Sequence, residues 1–135
     1  MANDAIAARL EALEAFRGLS PDLLDLLARE ADRIVYRSGQ AIATSGEVSD
    51  GAIVLIGGRA RVTEAPDGSA TDLPIEAGVM VGELAMFGEH VSTVTVVADA
   101  DVKAIKLNRE TLQDLMQREP ELLRHFEARL VARLS

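Results

Sequence analysis

VGELAMFGEHVSTVTVVA, residues 81–98, changes character partway along its length. Its first part suits a tight turn at Gly82, with Glu83 capping a short helix. Its last part, Thr93–Ala98, is rich in β-branched side chains and suits a strand. The strand texture continues outward in both directions. Arg33–Tyr36, Ala41–Thr44, Ala52–Ile56, Arg59–Thr63, Thr71–Ile75 and Val102–Leu107 are further short runs, separated by Gly, Asp and Ser. Such spacing predicts a β-sandwich or barrel. Pro66-Asp67-Gly68-Ser69 predicts a hairpin turn, because Gly accepts the positive φ that a tight turn needs.

Both ends of the chain have helical patterning. Residues 4–16 place Ile6, Leu10, Leu13 and Phe16 on one stripe, with Asn3 or Asp4 as cap, and Gly18 breaks the pattern. Ser20-Pro21-Asp22 opens a second helix. Ser caps it, Pro takes the first helical position and Asp meets the positive end of the dipole. Leu23, Leu24, Leu26 and Leu27 supply its buried face. After Asn108, a plausible cap, Leu112, Leu115 and Met116 share one side of a third helix. Pro120 begins the last helix, where Leu123, Phe126, Leu130 and Leu134 form a stripe that packs inward at its start and is open to a partner near Leu134. The chain therefore reads as a single domain over 1–135, with helices in 1–32, a β-roll over 33–107 and helices in 108–135. No linker or repeat interrupts it, and no segment is left for a separate DNA-reading helix-turn-helix.

Composition narrows the function. With 135 residues and 48% hydrophobic content, the chain can bury a core without metal or disulfides. It has no cysteine, which excludes thiolate zinc sites and thiol nucleophiles. A formal charge of −8 opposes nucleic-acid binding, which needs clustered Lys and Arg. Arg118, Arg124, Arg129 and Arg133 lie among Glu119, Glu121 and Glu127 and read as a solvated helix face. Met1-Ala2-Asn3-Asp4 lacks the features of a signal peptide, and the longest apolar stretch, Ala52–Ile56, is too short to span a membrane. These features predict a cytoplasmic protein with no membrane insertion.

Gly39, Gly46-Glu47, Asp50, Gly58 and Gly78 fall where the cyclic-nucleotide-binding domain family places its own turn residues. SGEVSDGAIVLIGG resembles that family's G-E-x-x-D followed by a hydrophobic strand ending in Gly. The 81–98 segment resembles its phosphate-binding cassette, F-G-E-L-A-L followed by P-R-A-A-T-V, and aligns without a gap. The resemblance covers essentially the whole chain and extends to the sensor domain of catabolite-activator-like proteins, without their DNA-binding helix-turn-helix. It implies a mainly β fold with flanking helices: a double-stranded β-helix, or jelly-roll-like barrel, between N-terminal and C-terminal α-helices. It also implies a ligand site. Gly82 would start a short helix. The amides of Leu84 and Ala85 would face a cyclic phosphate at the helix N-terminus, and Glu83 would accept a hydrogen bond from a ribose hydroxyl. Val81 stands where the family has an aromatic residue, and Ala52 where it has a larger apolar one.

The departure from the family lies at Ser92, which stands where the family has an arginine that forks onto the phosphate. An arginine–phosphate fork is charge-assisted and bidentate, whereas serine carries no charge. No Lys or Arg occurs from residue 62 to residue 102, a stretch that holds Glu64, Asp67, Asp72, Glu76, Glu83, Glu89, Asp99 and Asp101. Arg59 and Arg61 share a strand face and are expected to point outward. His90 reads as an exposed loop residue, mostly neutral at pH 7. Thr93 follows the position of the missing arginine, where some cGMP-binding members use Thr to contact guanine; it also suits a plain strand.

Two functions follow from this. One is a regulatory ligand-sensing module with weak or altered binding of cAMP, cGMP or another small ligand beside Gly82, Glu83, Leu84, Ala85, Ser92 and Thr93. It would signal to a protein partner or a second copy through the C-terminal helix. The alternative is a degenerate domain that binds no nucleotide and serves protein interaction or dimerisation. Catalysis is not expected, since no nucleophile elbow, zinc-protease motif or P-loop is present.

Overall fold

The computed structural model describes residues 3–134, and the side chains of residues 3–132. Four α-helices, α1 (Asn3–Glu11), α2 (Pro21–Glu30), α3 (Arg109–Arg118) and α4 (Pro120–Leu134), flank ten strands. The strands are β1 (Asp32–Tyr36), β2 (Ala41–Ala43), β3 (Val48–Ser49), β4 (Gly51–Gly57) and β5 (Arg59–Glu64), then β6 (Ala70–Glu76), β7 (Met80–Val81), β8 (His90–Val91), β9 (Thr95–Ala98) and β10 (Val102–Asn108). One sheet has the order β1-β10-β4-β7 and the other β2-β9-β5-β6, while β3 and β8 form a separate ribbon. Every pairing is antiparallel. This is the mainly β jelly-roll architecture with helices at both ends that the sequence predicts, built as two sheets and a ribbon.

The sequence of β4, GAIVLIG, has no polar side chain, and residues 51–56 are all buried. Successive side chains of a strand point to opposite faces. Ala52, Val54 and Ile56 therefore join a core with Ile6, Leu10, Phe16, Leu27, Leu112, Leu115 and Phe126 of the helical ends. Ile53 and Leu55 join a second core inside the roll, with Ala60, Val96, Ala98, Val102 and Ala104. Ala52 thus faces the helices rather than the interior of the roll.

Three expectations need correction. The helix over residues 4–16 breaks after Glu11, and Glu14–Phe16 forms a separate 3-10 turn. The extended backbone at Leu13 resets the direction of the chain, so that Ala15 and Phe16 both become buried. In α4 the buried face runs through Leu122 and Phe126, while Leu123 is 40% exposed. Residues four apart share a helix face, and starting the helix at Pro120 turns position 123 off that face. The side chain of Leu134 lies outside the described residues. Finally, the strand expected from Thr93 begins only at Thr95. The Ser92 hydroxyl donates to the carbonyl of Val94 at 2.7 Å, a local side-chain turn that competes with strand pairing.

Other local readings hold. The Ser20 hydroxyl accepts from the amide of Leu23 at 3.3 Å, and Asn108 Oδ1 accepts from the amide of Glu110 at 3.0 Å. The hairpin between β5 and β6 closes through Ala65 N–H to Ser69 O at 2.9 Å, with Gly68 at φ +84°. β3, β7 and β8 were not expected; at two residues each they are too short to show a period. No helix among the described residues is long and apolar enough to cross a membrane.

Two substitutions test this architecture. Gly58 has φ +90°, and a Cβ there would lie 2.3 Å from the backbone oxygen of Asp101. Gly58→Ala should lower stability by about 2–4 kcal/mol, read from the denaturation midpoint. An unchanged midpoint would refute the close approach. Phe126 is 1% exposed and meets the ring of Phe16 edge-on at 5.8 Å and that of Phe87 at 5.3 Å. Phe126→Ala should lower stability by about 3–5 kcal/mol, and a loss below 1 kcal/mol would show that α4 contributes little to the fold.

Candidate functional site

A cavity of about 290 Å3 opens into the roll beside the 81–98 segment. Tyr36, Ile53 and Lys106 of the first sheet line it, together with Glu47, Ser49 and Asp50 near the ribbon. Gly82, His90, Ser92 and Thr93 complete its polar rim. The structure thus gathers three of the predicted site residues, Gly82, Ser92 and Thr93, around one opening.

Gly82 adopts the left-handed conformation, φ 77° and ψ 42°, and begins a 3-10 turn over Glu83–Met86. That backbone is what requires glycine there. The amide of Ala85 donates to the carbonyl of Gly82 at 3.0 Å, so this N–H closes the turn itself. Ala85 is fully buried and Leu84 is 40% exposed, and neither lines the cavity. Glu83 also turns elsewhere. Arg129 Nε of α4 donates to Glu83 Oε1 at 2.6 Å, and both side chains are about three-quarters buried, at 22% and 24% exposure. The hydrogen bond to Glu83, aided by its charge, holds the Arg129 guanidinium above its usual pKa. Arg129 is therefore part of a cassette-to-helix contact, not of a solvated face. Arg118 does keep the solvated pattern, pairing with Asp114 one turn earlier.

Ser92 borders the cavity, but its hydroxyl is engaged with the backbone of Val94. Ser92 N–H donates to Glu47 O, and Gly46 N–H donates to Ser92 O, both at 2.9 Å. These bonds tie the segment to the turn before β3. Thr93 is exposed at the rim. His90, expected in an exposed loop, instead sits half-buried on β8, paired with Ser49 and facing the cavity. Val81 lies on β7 and lines the cavity as well. Arg61 points away from it, bonded to Asp72 and to Asp99, the latter at 3.1 Å. The Arg61 hydrogen bond and charge hold the Asp99 carboxyl below the usual carboxylate range.

Sequence reasoning missed two cations. Lys106, on β10, reaches the cavity and forms an ion pair with Asp50. The Lys106 hydrogen bond holds the Asp50 carboxyl below its ordinary pKa, helped by the charges of Lys106 and Arg109. Burial, and secondarily Asp50, pushes the Tyr36 phenol up. The signal for Lys106 was strand alternation: Val102, Ala104 and Lys106 share a face, and the first two lie in the roll core. Arg109 opens α3. Its amide donates to Asp50 O at 2.8 Å, and its guanidinium donates to Gly88 O at 2.8 Å. It thereby fastens the end of the cassette turn to the β3–β4 corner.

The cavity wall thus combines Lys106 and the glycine-led turn at Gly82 with hydroxyl, carboxylate and apolar side chains. Comparison with known proteins places this arrangement in a family. The model of the cyclic nucleotide-binding domain matches residues 33–119. Acetyltransferase Pat of Mycolicibacterium smegmatis is 36% identical over 93 residues, covering 68% of this chain and 28% of that protein. The cGMP-dependent protein kinase egl-4 of Caenorhabditis elegans is 31% identical over 111 residues, covering 79% of this chain and 14% of the kinase. The chain thus spans less than a third of either relative. The crystal structure of the N-terminal domain of a Streptomyces coelicolor transcriptional regulator superposes with a TM-score of 0.83 at 23% identity, covering 93% of this chain and 91% of that one. The match of residues 33–119 to the family model, with the jelly roll and glycine-led turn described above, makes the chain a member of the cyclic nucleotide-binding domain family.

Proposed function

We propose that this chain is a regulatory, ligand-sensing module whose cavity takes a cyclic nucleotide or a related small molecule. Binding of cAMP and cGMP is weakened or altered by Ser92. One observation carries the reading: the cavity stays open, at about 290 Å3, between Gly82 on one side and Ser92 and Thr93 on the other. Val81 lines it without closing it, and Phe87 packs on Phe126 instead. The relatives support a regulatory role, since the chain corresponds to a minor part of an acetyltransferase and of a cGMP-dependent kinase. The sensing module then acts on a separate protein, on a second copy or on further parts of a longer polypeptide, and performs no catalysis itself.

The route from cavity to output runs through α4. Glu83 adjoins Gly82 at the rim, and its carboxylate is held by Arg129 of α4. Phe87, at the end of the same turn, packs on Phe126 of α4. A ligand hydroxyl that recruits Glu83 must loosen Arg129 and so change how α4 sits. Among the described residues of α4, Leu123 and Val131, exposed at 40% and 63%, are the large apolar side chains that a partner would meet.

Calorimetric titration of cAMP and of cGMP into the whole chain tests this. The expected result is binding weaker than micromolar, tightened by about tenfold to a hundredfold in Ser92→Arg, which adds a charge-assisted bond to the phosphate. No heat from either nucleotide, with no gain in Ser92→Arg, would overturn the reading in favour of a domain that serves protein interaction alone.

A further inference from the structure

Building on the reading above, we propose that Lys106 supplies the positive charge that receives an anionic, phosphate-bearing group of the ligand. The carboxylate of Asp50 competes with the ligand for that charge.

The other cations of the molecule are placed elsewhere. No Lys or Arg occurs from residue 62 to residue 102. Arg61 is bonded to Asp72 and Asp99 outside the roll, and Arg129 is bonded to Glu83 outside the cavity. Among the described residues lining the cavity, Lys106 is the one Lys or Arg. Its position suits the task. Ile53 of β4 pairs with Lys106 on one side and with Val81 on the other, so the three form a row across β10, β4 and β7. Strands lie about 4.8 Å apart, which puts the Lys106 backbone roughly 10 Å from the residue that precedes Gly82. The flexible four-carbon stem of lysine covers much of that distance.

Asp50 marks where the ammonium rests. Its chain neighbours border the cassette turn: a Cβ on Gly82 would lie 3.7 Å from Gly51 O and 4.0 Å from Ser49 Oγ. Asp50, Lys106 and Gly82 line the same cavity, so the charge and the left-handed turn share one wall. Exposure makes the exchange feasible. The Lys106 side chain is 23% exposed and that of Asp50 is 61% exposed. A displaced Asp50 carboxylate swings into water, where it needs no partner, while the ammonium stays on the cavity side. Partly exposed ion pairs are weak, so opening this one costs little. A phosphate then accepts charge-assisted hydrogen bonds from the same ammonium. Glu47 at the rim repels such a ligand, which keeps affinity modest.

Calorimetry with cAMP and cGMP on the whole chain, at fixed moderate salt, should compare wild type, Lys106→Met, Lys106→Arg and Asp50→Asn. Thermal melts would confirm that each variant folds. Lys106→Met should weaken binding at least tenfold, Lys106→Arg should retain it, and Asp50→Asn should tighten it about fivefold. Wild-type affinity in a folded Lys106→Met would overturn the role of Lys106 and leave the sensing function standing. Absence of binding in every variant, Asp50→Asn and the Ser92→Arg of the preceding test included, would overturn both.

Discussion

β4 is buried on both faces, and most of the molecule follows from that. A strand that cannot tolerate water on either side needs a layer above and a layer below. The helical ends provide one layer, covering Ala52, Val54 and Ile56. The second sheet provides the other, covering Ile53 and Leu55. Its flanking strands are equally constrained. β10 carries Ile105 and Leu107 to the helical side and Val102 and Ala104 to the roll side. Lys106 continues the roll-side row beyond the point where apolar packing ends. The cavity lies there, at the edge of the inner core, where Lys106 shares its row with Ile53 and Val81 and polar side chains join the lining.

The cassette turn is joined to the rest of the protein from three directions. Arg109 fastens Gly88 to the corner between β3 and β4. Phe87 contacts Phe126, whose ring also meets Phe16. Arg129 holds Glu83. Two of the three contacts come from α4, so the position of that helix and the shape of the cavity rim are mechanically linked. The contacts differ in kind: aromatic burial resists displacement, whereas an ion pair can exchange one partner for another. A signal that moves α4 without unfolding the core would use the second while the first holds.

The segment 81–98 illustrates how far local sequence carries. The turn at Gly82 was legible because a left-handed backbone selects glycine, and the strand after it because β-branched side chains cluster there. The break at Ser92 was not, because a side-chain turn and a strand start compete over a single residue. Ser92 and Thr93 do reach the cavity with Gly82, while Glu83 turns to Arg129 and the Ala85 amide is used within the turn. Those outcomes depend on α4 and on the turn's own hydrogen bonding, which no local pattern specifies.

By itself, the sequence determined the order of the α-helices and of the seven longer strands, the caps at Ser20 and Asn108, the hairpin at Gly68 and membership of the family. These depend on neighbours within a few residues or on a motif read in order. Tertiary structure alone decided which face of α4 is buried, that Arg129 is held by Glu83, and that Lys106 lines the cavity against Asp50. Each of these joins residues far apart in the chain, and strand alternation left both sides of β10 open to burial. Lys106 lies fourteen positions beyond Ser92 in the chain, and the fold brings it to the same cavity as Ser92 and Gly82.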